Sequence, residues 1–349
     1  MSNPVQLLQE TSTSSILSAI DGKSPFTDRA LFSDYTAVGS LTRNINSWAY
    51  DFAGVTGIVA WNSRTQGTPD GTAIGGAAVT KRHVVYSKHA SYQTGNTVYF
   101  VTKDNTLITR EIVATKNFPL TYGDYGIALL ESDLPETIDV VKVLPKDTYR
   151  YFNSEYFLNY DTTRWVGSGQ PDEVLVLHTN QSELASVKAL SRLDFSSFTD
   201  PDPNNYTSAG YSTFNVQTST DSLAKLWNYN MVPGDSGSPL LMLQDNEVIL
   251  LGLFHFVAAG PFISSPRNYN DINRLITDVD TDYAAGGGFA ASGYTLTDYN
   301  LNNYYNYNPV PYTSPALAAL PLSATSLAVF EDGVSPSYDI TWSFNYEVK

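Results

Sequence analysis

The 349-residue sequence predicts an all-β core with a helix near its C-terminal end. Three observations lead there. Apolar runs are short and rich in β-branched and aromatic residues; Gly, Asn, Asp and Pro separate them; and only late in the chain does a strong helical stripe appear. Strands need four to eight such residues between turns, whereas a core helix needs a longer stretch with period 3.6.

Taken in order, residues 1–47 are rich in Ser, Thr and Asp and carry one modest helical candidate, Val5 to Ile20, closed by Asp21-Gly22. They are read as an N-terminal extension. From Trp48 the strand-like texture begins: Gly57 to Trp61, Thr97 to Thr102, Ile112 to Ala114, Val174 to Leu177 and Val248 to Phe254. Within Asn268 to Val279, Ile272, Leu275, Ile276 and Val279 recur at i, i+3, i+4 and i+7, which predicts an amphipathic helix with one buried stripe. The glycines Gly286 to Gly288 then suggest a boundary, giving a main domain over 48–282 and a tail over 283–349. The tail opens with a Tyr/Asn-rich arm at 299–312. It ends in a hairpin in which Tyr338, Ile340, Trp342, Phe344 and Tyr346 alternate with polar residues, with 326–330 as the partner strand. A lone hairpin is marginally stable in water, so its aromatic face calls for the main domain, a second copy or another protein.

Composition excludes several functions. Hydrophobic residues at 42% and charged residues at 16% suit a globular chain. A net charge of -15, from 20 basic and 35 acidic residues, repels phosphate backbones and anionic lipid, so neither nucleic acid nor a membrane surface is an expected partner. With no cysteine there is no disulfide, thiolate metal site or cysteine nucleophile. No metal or cofactor is expected. The start lacks the charged and apolar pattern of a secretory signal, and no stretch approaches the about 20 apolar residues of a spanning helix. A cytoplasmic or particle-associated protein is the expectation.

Chemistry concentrates at Pro233-Gly-Asp-Ser-Gly-Ser-Pro239. Glycines around a serine expose its Oγ and let backbone N–H groups approach a developing oxyanion. The spacing alone fits two unrelated hydrolase architectures. An α/β-hydrolase needs an apolar strand leading into the motif and its acid and His downstream, but Asn228 to Val232 forms no such strand and only His255 follows. The form Gly-Asp-Ser-Gly-Ser-Pro resembles the serine motif of chymotrypsin-like proteases, whose His and Asp come first. Of the four histidines, His83, His89, His178 and His255, the block Gly75 to Ala90 is similar to the family's histidine block and selects His89, leaving His83 on an exposed turn. His178 ends a strand and has no metal-binding partners at ligand spacing. Asp124-Tyr-Gly-Ile-Ala-Leu-Leu130 resembles the segment that carries the family's acid. Ser87-Lys88 departs from the two alanines usual before the histidine, and a lysine there opposes a charged imidazole.

The resemblance covers about residues 48–280. It implies a chymotrypsin-like double β-barrel, a His89–Asp124–Ser236 triad and an oxyanion hole made by the N–H groups of Gly234 and Ser236. It implies hydrolysis of a polypeptide substrate. The specificity pocket falls to Asn230, His255, Phe256 and Val257. An uncharged Asn230 disfavours a Lys/Arg preference, and His255 lies one position from the histidine by which glutamate-specific relatives read substrate. No activation cleavage is expected, so Asp235 should find an internal partner. The alternative is a protease-fold structural or assembly protein, associated with a virus or phage particle, with weak or absent hydrolysis. The extension, the hairpin tail and the Ser/Thr/Asn/Tyr-rich composition motivate it.

Overall fold

The structure is a computed structural model that describes residues 4–34, 40–60, 75–119, 123–148, 174–180, 183–195, 212–232, 234–255 and 258–301. The expected hairpin over 326–346, the arm from 302 onward and the pocket positions Phe256 and Val257 lie outside the described residues. The chain divides into two compact units, Met1–Asn300 and Leu301–Lys349. Every described strand and helix belongs to the first.

This unit is mostly β, with a long helix towards its C-terminal end. A five-stranded antiparallel sheet comprises β3 (Gly76–Ala78), β4 (His83–Tyr86), β5 (Thr97–Val101), β6 (Leu107–Asn117) and β7 (Gly126–Leu130), in the order β3-β4-β7-β6-β5. A seven-stranded sheet comprises β8 (Lys142–Val143), β9 (Val174–Thr179), β10 (Ala185–Phe195), β11 (Ser212–Gln217), β12 (Pro239–Gln244), β13 (Glu247–Leu253) and β14 (Ala259–Pro261). Its order is β14-β11-β10-β9-β12-β13-β8. Two short strands ahead of both, β1 (Phe32–Asp34) and β2 (Thr42–Arg43), pair with each other. The Gly57 to Ala60 stretch expected as a strand instead begins in a 3-10 turn, Val55–Gly57. It then lies along the first sheet, with Val59 N–H donating to Gly76 O and Ala60 N–H to Tyr99 O.

All five residues of β7 are buried, and the pleat explains why the segment is continuously apolar. Ile127 and Leu129, with Val85 and Ala77, face a core shared with Leu177, Val187, Leu241 and Leu250 of the seven-stranded sheet. Ala128 and Leu130, with Val84, Tyr86, Val98, Phe100 and Ile112, fill a second core on the opposite face. A strand covered on both faces has no polar alternation to show.

Among the described residues, three helices complete the unit. In α1 (Pro4–Ile20), Leu8, Ile16 and Ile20 are buried. The helix bridges β9 and β12, which pair only at Leu240↔His178 and Leu241↔Leu177. Ser12 Oγ donates to Leu175 O at 2.8 Å and accepts from Leu243 N–H at 3.2 Å. The extension therefore closes a seam in the second sheet. The short α2 (Ser222–Leu226) is capped by Asp221, whose carboxylate accepts from the N–H groups of Leu223 and Ala224. The expected helix is α3 (Pro266–Ala285), N-capped by Ser265, with Ile272, Leu275, Ile276 and Val279 all in the shared core. Gly286 to Gly288 end α3 but not the unit. Beyond them Leu296 and Tyr299 are buried, and Tyr299 N–H donates to Val143 O at 2.7 Å. The compact unit thus runs about 18 residues past the expected boundary, because this segment lies against β8.

His83 is a correction. Expected on an exposed turn, it opens β4 and is fully buried, with Nε2 3.0 Å from Asp280 Oδ1 on α3 and Nδ1 2.8 Å from Thr80 Oγ1. The polar run before it hides a strand start, and its partner lies 197 residues away. Among the described residues no helix is long and apolar enough to cross a membrane.

Candidate active site

Strand register brings the histidine and the acid together. β4 and β7 pair antiparallel, with Tyr86 opposite Gly126, so the residues just after β4 meet those just before β7. Ser87 leaves β4 and leads into a 3-10 turn, Lys88–Ala90, that holds His89. Asp124 stands two residues before β7. Its Oδ1 accepts the His89 backbone N–H at 2.9 Å, while Oδ2 lies 2.6 Å from His89 Nδ1. One carboxylate thus fixes both the turn and the ring.

Ser236 comes from the other sheet. It occupies the turn before β12, and that turn continues the β12–β13 ladder: Gly237 N–H donates to Phe254 O at 2.8 Å and Phe254 N–H to Ser238 O at 3.0 Å. The turn meets the first sheet through Gly75, whose N–H donates to Ser236 O at 3.3 Å. Here two glycines are mutually required. A Cβ on Gly237, which has φ +82°, would lie 2.5 Å from Gly75 O, and a Cβ on Gly75 would lie 2.6 Å from Ser238 N. Main chain therefore sits directly on main chain beside the serine, and His89 Nε2 comes to 2.7 Å from Ser236 Oγ.

The contacts set the proton positions. Asp124 accepts the Nδ1 proton, so Nε2 presents its lone pair to the Ser236 hydroxyl. The hydrogen bond to Asp124 raises His89 above the ordinary imidazole value, against partial burial, and the carboxylate charge adds to the rise. Burial pushes Asp124 up, but hydrogen bonds from His89 and Ser87 outweigh it and hold the carboxyl below its usual value. Among the described residues, the N–H groups of Asp235, Gly237 and Ser238 are engaged, whereas those of Gly234 and Ser236 donate to nothing. These last two are the expected oxyanion donors.

The acid has two further neighbours, neither of them expected there. Ser87 is buried, and its Oγ donates to Asp124 Oδ2 at 2.7 Å. Its signal in the sequence is the departure from alanine two residues before His89. His255, expected on the pocket wall, directs Nδ1 to 3.7 Å from Asp124 Oδ2. Burial keeps the His255 ring below its ordinary value; the Asp124 charge opposes this and His89 reinforces it. Asn230 is exposed on the loop six residues before Ser236. His178 is fully buried on β9, edge-on to Phe254 with centroids 4.4 Å apart, where burial holds it well below the ordinary imidazole value. Among the described residues no group of three or more His, Asp or Glu side chains could hold a metal ion.

No family model matches the chain, and no curated protein matches it.

Proposed function

We propose that this protein is a serine endopeptidase that works through an acyl-enzyme. The observation that carries the reading is the unbroken line from Asp124 through His89 to Ser236, with contacts of 2.6 and 2.7 Å. Ser236 Oγ attacks the scissile carbonyl carbon as His89 Nε2 takes its proton. The carbonyl oxygen becomes an oxyanion, and the N–H groups of Gly234 and Ser236 stabilise it. When the C–N bond breaks, His89 returns the proton to the leaving amine. Water then repeats the sequence on the ester and frees Ser236. Asp124 stays ionised throughout, orients the ring and stabilises the imidazolium.

The choice of peptide substrate rests on the likeness of the three motif blocks to chymotrypsin-like proteases. Support from the architecture is coarser. Two sheets, antiparallel except where β8 joins β13, a helix after the second, and a site where their ends meet are what a double β-barrel protease would supply. His and Asp from the first sheet with Ser from the second fit the same plan.

The test is covalent labelling of the full-length protein by a fluorophosphonate, with Ser236→Ala as control. Labelling of the wild type that vanishes in Ser236→Ala is expected. A folded wild type that takes no label overturns the reading and leaves the structural or assembly role in its place.

A further inference from the structure

β4 ends at Tyr86, and Ser87 follows in extended conformation as the N-cap of the turn that carries His89. Ser87 is wholly buried, yet its hydroxyl caps nothing in that turn. A hydroxyl taken out of water needs partners, and this one meets two: Asp124 Oδ2 at 2.7 Å and His89 Nδ1 at 3.1 Å. Alanine is usual at this position in the family that the histidine block resembles. The hydroxyl is therefore a feature of this chain and not of the resemblance.

Ser87 Oγ, Asp124 Oδ2 and His89 Nδ1 lie within 2.6–3.1 Å of one another. With an ionised acid, one arrangement of protons serves all three contacts. Oδ2 carries no proton, so it accepts from both neighbours. The single Ser87 proton goes to Oδ2, which leaves Oγ presenting a lone pair to Nδ1. Nδ1 then carries its own proton, shared between Oδ2 and Oγ. The other tautomer sets the Nδ1 lone pair against a carboxylate oxygen 2.6 Å away. Ser87 can turn its proton to that lone pair only by leaving a charged acceptor for a neutral one, and bonds to charged groups are the stronger.

The carboxylate is set as firmly as the ring. Oδ1 accepts the His89 backbone N–H at 2.9 Å, so with Ser87 on Oδ2 each oxygen has a donor outside the imidazole. Burial pushes Asp124 up, and the bonds from His89 and Ser87 keep it ionised. His255 Nδ1, 3.7 Å from the same Oδ2, stands beyond hydrogen-bond reach of it and leaves the three-atom ring intact.

Resting on the serine-hydrolase reading above, we propose that Ser87 is a positioning residue: its hydroxyl sets the Asp124 carboxylate and restricts His89 to the tautomer whose Nε2 lone pair faces Ser236. Its influence on Ser236 runs only through Asp124 and His89.

The experiment compares full-length wild type, Ser87→Ala, Asp124→Asn and the double variant. Because alanine is usual at this position, the single change tests the hydroxyl and not the fold. Ser87→Ala should label with the fluorophosphonate roughly tenfold more slowly, the effect of one hydrogen bond to a charged group. In the Asp124→Asn background the same change should cost little more, because the carboxylate through which Ser87 acts is gone. A merely structural role would slow both backgrounds alike. The second readout needs no nucleophile: the proton resonance of His89 Nδ1–H, assigned by its absence in His89→Gln. It should stand clear in the wild type at neutral pH and broaden by exchange with water in Ser87→Ala. Wild-type labelling by Ser87→Ala, an equal loss in both backgrounds, or a resonance indifferent to Ser87→Ala each overturns the proposal. A wild type that takes no label, but whose resonance responds to Ser87→Ala, sinks the hydrolase reading while upholding the hold of Ser87 on Asp124 and His89.

Discussion

Replacing Gly237 by alanine isolates the contact on which the site geometry rests. The new methyl would sit 2.5 Å from Gly75 O and 3.1 Å from its carbonyl carbon, whereas such contacts are essentially never closer than 3.0 Å. The two backbones must part by about 0.5 Å, the difference between those values. A misplacement of about 1 Å can cost about 100-fold in rate, so half that distance predicts a labelling rate lower by roughly tenfold. The φ of +82° adds about 1–2 kcal/mol of strain for a residue with a Cβ. Gly95→Ala separates the two effects, because Gly95 has φ +87° and nothing within 4 Å of the added carbon. Both variants should therefore share the loss of stability in urea that comes from φ, Gly237→Ala should lose more through the clash, and only Gly237→Ala should lose labelling. Equal labelling in the two variants would refute the idea that backbone contact at Gly75 sets the distance from Ser236 to His89.

Two pH predictions rest on the charges. His89 must be neutral to act as a base and is raised by Asp124, so labelling should fall with acid through a midpoint above the ordinary 6.5. Asp124→Asn should slow labelling by about 10⁴-fold and shift the midpoint downward, and a wild-type midpoint below 6.5 would contradict the assigned hydrogen bond. Asp280 is held at about 2 by His83 and by Ser292, whose N–H and Oγ both donate to Oδ2, in spite of its burial. The unfolded chain binds this proton near 3.8 and the folded one only near 2, so the carboxylate contributes about 2 kcal/mol above pH 4, lost as pH falls towards 2. Urea unfolding at pH 5 and pH 3 should show a steeper loss in the wild type than in Asp280→Asn.

The residues legible in the sequence lie at strand ends. His89, Asp124 and Ser236 each follow or precede a short apolar run, but it is the resemblance of their blocks to known protease motifs, in the order His, Asp, Ser, that selects them. The helix α3 is equally plain, because its stripe is the period itself. Residues whose burial depends on distant partners escape such a reading. His83 follows Lys81 and Arg82 and resembles part of a turn, yet Asp280 covers it. Lys188 sits between Val187 and Ala189 like any solvent-facing strand residue, yet it is buried, with its Nζ bonded to Asn228 Oδ1 and Tyr229 O some 40 residues on. In α1, the Ser/Thr content masks a buried face, because one of the buried groups is a hydroxyl.

That hydroxyl has a consequence for how the chain is made. The bonds from Ser12 to Leu175 and Leu243 span 163 and 231 residues. The helix α1 leaves the ribosome before β9 and β12, and its docking site is incomplete until β12 has followed. During synthesis it must wait, with Leu8, Ile16 and Ile20 uncovered, until the chain as far as β12 has been made. The segment that closes the second sheet is made before the strands it joins and can take its place only after both exist.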